Sequence, residues 1–310
     1  MRILYTYLAD FIRADFNRSL YGTVSLFLIV LITLNYSINL EDGIIDPYRG
    51  SWIRFALFLL LDSMVYLSVT GMWLYWNQKL TILRTQKFWL YTLTGLVVLA
   101  FWQDYTGYQK LVGRFEEVYS FAFHCFSNLS SALTVWLPLI LFYFFIDRNP
   151  SYFYGFRPVH LGIHGVMLLC MLPLIIWASF QPSFLNTYPI YKGWGTAEAL
   201  HWPAWIPATL FEACYGFDFI STELLIRGFF IIGMTKLLDR GAILPMVAVY
   251  ACIHFGKPLG ETIGSIAGGY ILGILAYKSR SIWGGIAIHL GVAWCMELAA
   301  FIQSSISNHS

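Results

Sequence analysis

Apolar residues run along this chain in stretches of roughly 17 to 25, the length that carries a helix across about 30 Å of hydrocarbon, with short polar clusters between them. The runs lie near 21–40, 52–76, 88–103, 121–146, 161–180, 205–234, 242–256, 261–277 and 281–302. They predict an all-α fold, a polytopic transmembrane helix bundle of eight to nine spans. Residues 1–20 differ, carrying Arg2, Asp10, Arg13, Asp15 and Arg18 ahead of the first run and no small-residue cleavage site. This predicts an uncleaved first helix preceded by a segment lying along the membrane surface. Between 181 and 204, Pro182, Pro189, Pro203, Gly193 and Gly195 interrupt any spanning helix, and Trp194 and Trp202 suit an outer interfacial loop. A lid is the sharper alternative for that loop.

Charge follows the same pattern. With the N-terminus inside, the loops at 77–87, 147–160, 235–241 and 278–280 share its side, and with residues 1–20 they hold twelve of the 19 Lys and Arg residues. This asymmetry obeys the positive-inside rule and predicts a cytoplasmic N-terminus. A composition 58% hydrophobic and only 12% charged excludes an ordinary soluble domain. The net charge of +2 reflects topology, and no basic stripe alternates with stacking aromatics, so nucleic acid is excluded as a partner and the lipid bilayer is the expected one. All 5 cysteines fall inside predicted spans without a CxxC pair, which makes them small buried hydrophobes rather than disulfide or thiolate-metal residues. The sequence does not speak to oligomeric state.

Three regions follow: N-terminal transmembrane helices of unknown role over 1–150, a connecting helix and outer Trp/Pro-rich loop over 151–204, and a core over 205–310. Residues 1–150 carry few intramembrane charges; Asp62, mid-span, is protonated, bonded to a neighbouring helix, or functional, with a structural role the first reading. The last hundred residues hold Glu212, Asp218, Thr222, Glu223, Arg227, His254, Lys257, Glu261, His289 and Glu297, with glycines at 264, 268, 269 and 273. Charges inside a span are costly, so such residues point to function or to internal pairing. Glu223 and Arg227, four apart, share a helix face and can pair. Counting about 1.5 Å of rise per residue from the inner boundary sets Glu223, His254 and His289 at a common depth on three helices. Small residues four apart let helices approach closely in lipid.

Thr222-Glu223-Leu224-Leu225-Ile226-Arg227-Gly228, followed by His254 after Tyr250 and then by His289, resembles the three-motif pattern of the CPBP family over about residues 205–302. That family includes CAAX prenyl endopeptidases and bacteriocin-processing proteins. The resemblance implies an intramembrane endopeptidase that hydrolyses a peptide bond of a membrane-associated protein or peptide, in a bacterial inner (plasma) membrane. Its motifs resemble Glu-Glu-x-x-x-Arg, Phe-x-x-x-His and His-x-x-x-Asn or Asp, in which the first Glu and first His activate water and the last His and Asn stabilise an oxyanion. This chain departs from them: Thr222 stands at the first Glu, Tyr250 at the Phe, and Ala293 at the Asn.

The expected catalytic set is therefore Glu223, His254 and His289, supported by Arg227, Asp218 and Thr222. Glu223 or Asp218, with His254, would take a proton from water while His289 donates to the oxyanion. Asp218 lies one turn before Thr222 on nearly the same face, and Glu261 and Glu297 are weaker substitutes. No cofactor is expected. The alternative is zinc on Glu223, His254 and His289, a reasonable one-carboxylate, two-imidazole set, against which stand the absence of HExxH and the competing Arg227. Two non-enzymatic alternatives remain: an inactive CPBP-like binding or scaffold protein, motivated by Thr222 and Ala293, and, less favoured, a transporter.

Overall fold

The protein is described by a computed structural model over residues 2–148 and 152–307. It is an all-α, multi-pass membrane helix bundle. The chain opens with an amphipathic helix, α1 (Arg2–Asp15), and then α2 (Arg18–Ile38), whose first turn is capped by Asn17 accepting from the Ser19 and Leu20 N–H groups. There follow α3 (Trp52–Trp76), α4 (Gln86–Asp104), α5 (Glu116–Asp147, partly π-helical) and α6 (Gly162–Ser179). Helix α7 (Trp205–Glu223) continues directly into a wider π-helical segment, Leu224–Gly233. The last three helices are α8 (Ile243–Cys252), α9 (Leu259–Ser279) and α10 (Trp283–Ser307).

Among the described residues, 6 helices are long and apolar enough to cross a membrane, namely α2, α3, α5, α6, α9 and α10, where the hydrophobic pattern alone predicts eight to nine. The other three predicted spans are helical but differ in kind. Helix α4 has polar ends, Gln86, Lys87, Gln103 and Asp104; α7 carries Glu212, Asp218 and Glu223, with Arg227 just beyond. Helix α8 has only 10 residues, about 15 Å of rise, half a bilayer core. Its chain completes the path as a non-helical turn through residues 253–256, which is how an imidazole-bearing backbone comes to stand inside the bundle. Irregular backbone at that depth is tolerated where protein surrounds it.

Large apolar side chains face outward as lipid-exposed surfaces require: Leu26, Ile29 and Val30 on α2, Leu169 and Trp177 on α6, Phe301 on α10. Inside, the largest buried cluster draws on residues from Phe11 to Ile286, with α3 against α8 and the π segment against α4. A Cβ at Gly95 of α4 would meet ring carbons of Phe229 and Phe230 at 2.8 Å each, so this contact depends on glycine. Asp62 is buried and accepts from Gln103 Nε2 at 2.7 Å, the helix-to-helix bond its sequence position suggests. All five cysteines are free. Glu297 of α10 accepts the Ile190 N–H at 2.9 and 3.0 Å through its two oxygens, tying down the 181–204 connection.

Candidate functional site

Glu223 ends the regular part of α7, fully buried, and its Oε1 accepts from Arg227 Nη1 at 2.9 Å, the four-residue pairing the sequence predicts. The same oxygen lies 3.1 Å from His289 Nδ1 of α10. A carboxylate paired with a guanidinium can only accept, so His289 carries its proton on Nδ1 and presents Nε2 as an acceptor. That Nε2 is 3.3 Å from the Tyr250 hydroxyl. The Arg227 guanidinium, also fully buried, lies over the Tyr250 ring at 4.1 Å, a cation–π contact that adds to the carboxylate in offsetting the burial of the charge.

His254 stands in the turn after α8. Its Nδ1 is 2.8 Å from the Tyr250 carbonyl, which must accept, so Nδ1 holds the proton here too and Nε2 is left bare. Tyr250 thus joins the two imidazoles, through its hydroxyl to His289 and through its carbonyl to His254. Both imidazoles, Tyr250 and Arg227 line a cavity of about 290 Å³ shared with Lys257, Glu261 and Ala293. Within the helix glycines, Gly264 and Gly268 border this cavity, whereas Gly273 lets α9 close on Met246 and Ile231, a Cβ there meeting them at 2.9 and 3.1 Å.

The remaining predicted residues lie elsewhere. Asp218 borders a different, polar cavity with Arg49 and Arg54 and accepts from Trp102 Nε1 at 3.3 Å. Thr222 donates to the Asp218 carbonyl at 2.9 Å, a bond within its own helix, and is nearly buried. Glu223 itself sits behind His289 rather than on the cavity wall. Glu297 borders a separate cavity near Tyr191, and Glu261 is the carboxylate that reaches the one with the histidines, 3.9 Å from Lys257 Nζ. For zinc the donors do not fit: Glu223 is held by Arg227, His289 turns a protonated nitrogen toward it, and among the described residues no group of three His, Cys, Asp or Glu side chains is arranged to hold a metal.

Two supports escaped the sequence reading. Gly285 admits the buried carboxylate, since a Cβ there would overlap Glu223 Oε2 and stand 2.8 Å from its carboxyl carbon. Gly285→Ala is expected to cost about 1–3 kcal/mol by overfilling, lowering the melting temperature in detergent. Gly264→Ala, whose Cβ meets nothing within 4 Å, is the silent comparison.

The second support comes from the other end of the chain. Asn35 Nδ2 of α2 donates to the Phe255 carbonyl at 3.2 Å, and the Tyr36 hydroxyl donates to the Lys257 carbonyl at 2.7 Å. Tyr36 also contacts the Thr262 hydroxyl at 2.7 Å, and Thr262 bonds the His254 carbonyl at 2.6 Å. A Cβ at Gly256 would meet Glu41 Oε1 at 3.1 Å. Residues 35–41 thus brace the turn that carries His254.

Burial first, with Asp46 and Asp42 adding, pushes the Glu41 carboxyl up to about 7, while the Gly256 backbone N–H and Arg54 pull the other way. A carboxyl whose folded value exceeds its ordinary 4.5 contributes stability below about pH 4.5 that is lost as the pH climbs to about 7 and stays lost above. The pH dependence of thermal stability across that window should therefore flatten in Glu41→Gln; an unchanged slope would assign it to another group.

Residues 202–295 match the family model described as Type II CAAX prenyl endopeptidase Rce1-like. The matched segment begins just before α7, ends within α10, and includes Glu223, Arg227, His254 and His289. No curated protein and no solved structure matches the chain.

Proposed function

We propose, from the match of residues 202–295 to the Rce1-like CAAX endopeptidases, that this protein is an intramembrane endopeptidase of that kind, acting on a membrane-associated peptide or protein. One observation carries the reading: two imidazoles, each with Nδ1 committed to an acceptor, share one cavity through Tyr250. In it His254 Nε2 takes a proton from water, whose oxygen attacks the peptide carbonyl. The oxyanion is met by the Arg227 guanidinium, which borders the cavity, the Tyr250 hydroxyl being engaged with His289 Nε2. As the C–N bond breaks, the amine leaves with the proton gathered by His254. Glu223 acts through His289, fixing its tautomer and orientation as the carboxylate of a catalytic triad does, and Arg227 holds Glu223 in place through their ion pair. Asp218 and Thr222 have no part in this scheme. The distribution of Lys and Arg supports a cytoplasmic N-terminus.

A second reading, ligand binding without turnover, is favoured by Ala293, which brings a methyl group to the cavity where the family resemblance expects Asn or Asp. The two separate in membrane proteomics of cells expressing wild type, Glu223→Gln, His254→Ala or His289→Ala at equal levels. Peptide fragments present with wild type and absent with His254→Ala support hydrolysis. Fragments that persist through all three substitutions end it, and an identical peptide profile in all four strains, with a membrane protein co-purifying with each, would establish the binding reading instead.

A further inference from the structure

On the opposite side of the bundle, where the chain passes from α5 to α6 and from α9 to α10, lies a second cavity of about 380 Å³. That volume falls within the roughly 300–1,000 Å³ range of small-molecule sites. Its wall is formed by Tyr152, Gly155, Arg157, Thr235, Lys236 and Arg280 with Ile232, three cations and no carboxylate. Four of the six apolar helices have an end near it in the chain: α5 closes at Asp147, α6 opens at Gly162, α9 closes at Ser279 and α10 opens at Trp283. The cavity therefore belongs to a membrane face, and it is the face that the Lys and Arg distribution assigns to the inside.

The cations are held in place rather than scattered on mobile loops. The Ile282 N–H donates to the Gly155 carbonyl at 3.0 Å, and the Ser281 hydroxyl donates to the Arg157 carbonyl at 2.5 Å, so the 155–157 backbone is fastened to the start of α10. Arg280 takes the left-handed conformation that ends α9 (φ 56°), donates to the Thr235 hydroxyl and lies over the Tyr277 ring at 5.2 Å. Arg157 lies over the Tyr152 ring at 5.9 Å. Lys236 is paired with Asp147, a carboxylate that also accepts from Tyr91. Neither Arg157 nor Arg280 has a carboxylate within ion-pair distance among the described residues. The site thus keeps an uncompensated positive charge between helix ends, where anionic headgroups gather.

We infer that this cavity binds a phosphate-bearing anion, the headgroup of an anionic phospholipid in the inner leaflet or a soluble phosphate, through Arg157 and Arg280. Planar guanidinium groups match phosphate oxygens in pairs, and Tyr152 adds a hydroxyl-bearing ring to the wall. This inference is independent of hydrolysis in the histidine cavity.

The test uses the full chain in a neutral detergent, titrated separately with phosphatidylglycerol, phosphatidylcholine and inorganic phosphate and read by native mass spectrometry. Wild type should retain phosphatidylglycerol over phosphatidylcholine. Arg157→Gln with Arg280→Gln should weaken it on the order of thirtyfold, the worth of two cations near a membrane surface. Arg157→Lys with Arg280→Lys should recover only part of the loss, since it restores the charge but not the paired donors. Arg84→Gln with Lys87→Gln, just before and within the first turn of α4, should leave binding unchanged. Binding of inorganic phosphate without lipid preference supports the same site with a soluble source. Equal retention in the double Gln variant, an equal loss in the Arg84/Lys87 variant, or no anion bound by a wild type that melts normally overturns the inference.

Discussion

Glu223→Ala should destabilise the bundle by about 3–5 kcal/mol, because it strands the Arg227 guanidinium in a fully buried site with its ion-pair partner removed. The Tyr250 ring beneath Arg227 offsets only a fraction of that, about 2 kcal/mol for a desolvated cation–π contact. Two comparisons separate an uncompensated charge from a simple loss of volume. Glu223→Gln keeps the volume and an acceptor for Arg227 and His289 but not the charge, so it should retain most of the penalty. Glu223→Leu combined with Arg227→Met removes both charges and should recover most of the stability, as replacing a whole buried ion pair often does. Unfolding in graded detergent mixtures reads all three; a double variant as unstable as Glu223→Ala would show that the pair is not what carries the penalty.

Ala293→Asn should raise peptide turnover by about 100- to 1,000-fold, the usual worth of one oxyanion donor, since residue 293 borders the histidine cavity and four residues along α10 return it to the face of His289. Thr222→Glu should not act in the same way. Thr222 is turned into its own helix toward the Asp218 carbonyl and does not border that cavity, so a carboxylate introduced there meets buried surface instead of water. The measurement is kcat on any peptide whose cleavage by wild-type membranes the proteomic comparison reveals. A decrease with Ala293→Asn, or no cleavage of any peptide by either form, would remove the hydrolytic reading and leave the ligand-binding one.

The parts of this architecture that follow from hydrophobic length were legible beforehand. Six apolar helices are where continuous runs lie, while the segments of α4, α7 and α8 were harder to read because polar ends, a series of acidic residues or a ten-residue length each break the simple rule. Depth counting brought Glu223 and His289 together, since rise per residue is fixed and both stand on regular helices. It could not tell which group faces the cavity. That is decided by rotation, and the π-helical turns after Glu223 alter rotation without leaving a trace in hydropathy. Asp218 lies away from the histidines for the same reason: one turn along a helix keeps the side but not the neighbour, and its neighbours are Trp102 and the cavity lined by Arg49 and Arg54. Tyr250 carries a signal in the sequence beyond its departure from a Phe, since four residues before His254 is the spacing at which a carbonyl reaches an imidazole.

The brace from residues 35–41 bears on how portable the family-matched segment can be. Cut out at residue 202, it would retain Arg227, Tyr250, His254 and His289 of the histidine cavity yet lose the hydrogen bonds that Asn35 and Tyr36 make to the main chain at 255 and 257. A turn joined on one side to a helix of two or three turns has little of its own to fix an imidazole within tenths of an ångström. Grafting 202–295 into another scaffold should therefore transplant the chemistry only if a substitute for the end of α2 travels with it, and co-expressing the two halves as separate chains is the simplest way to supply one.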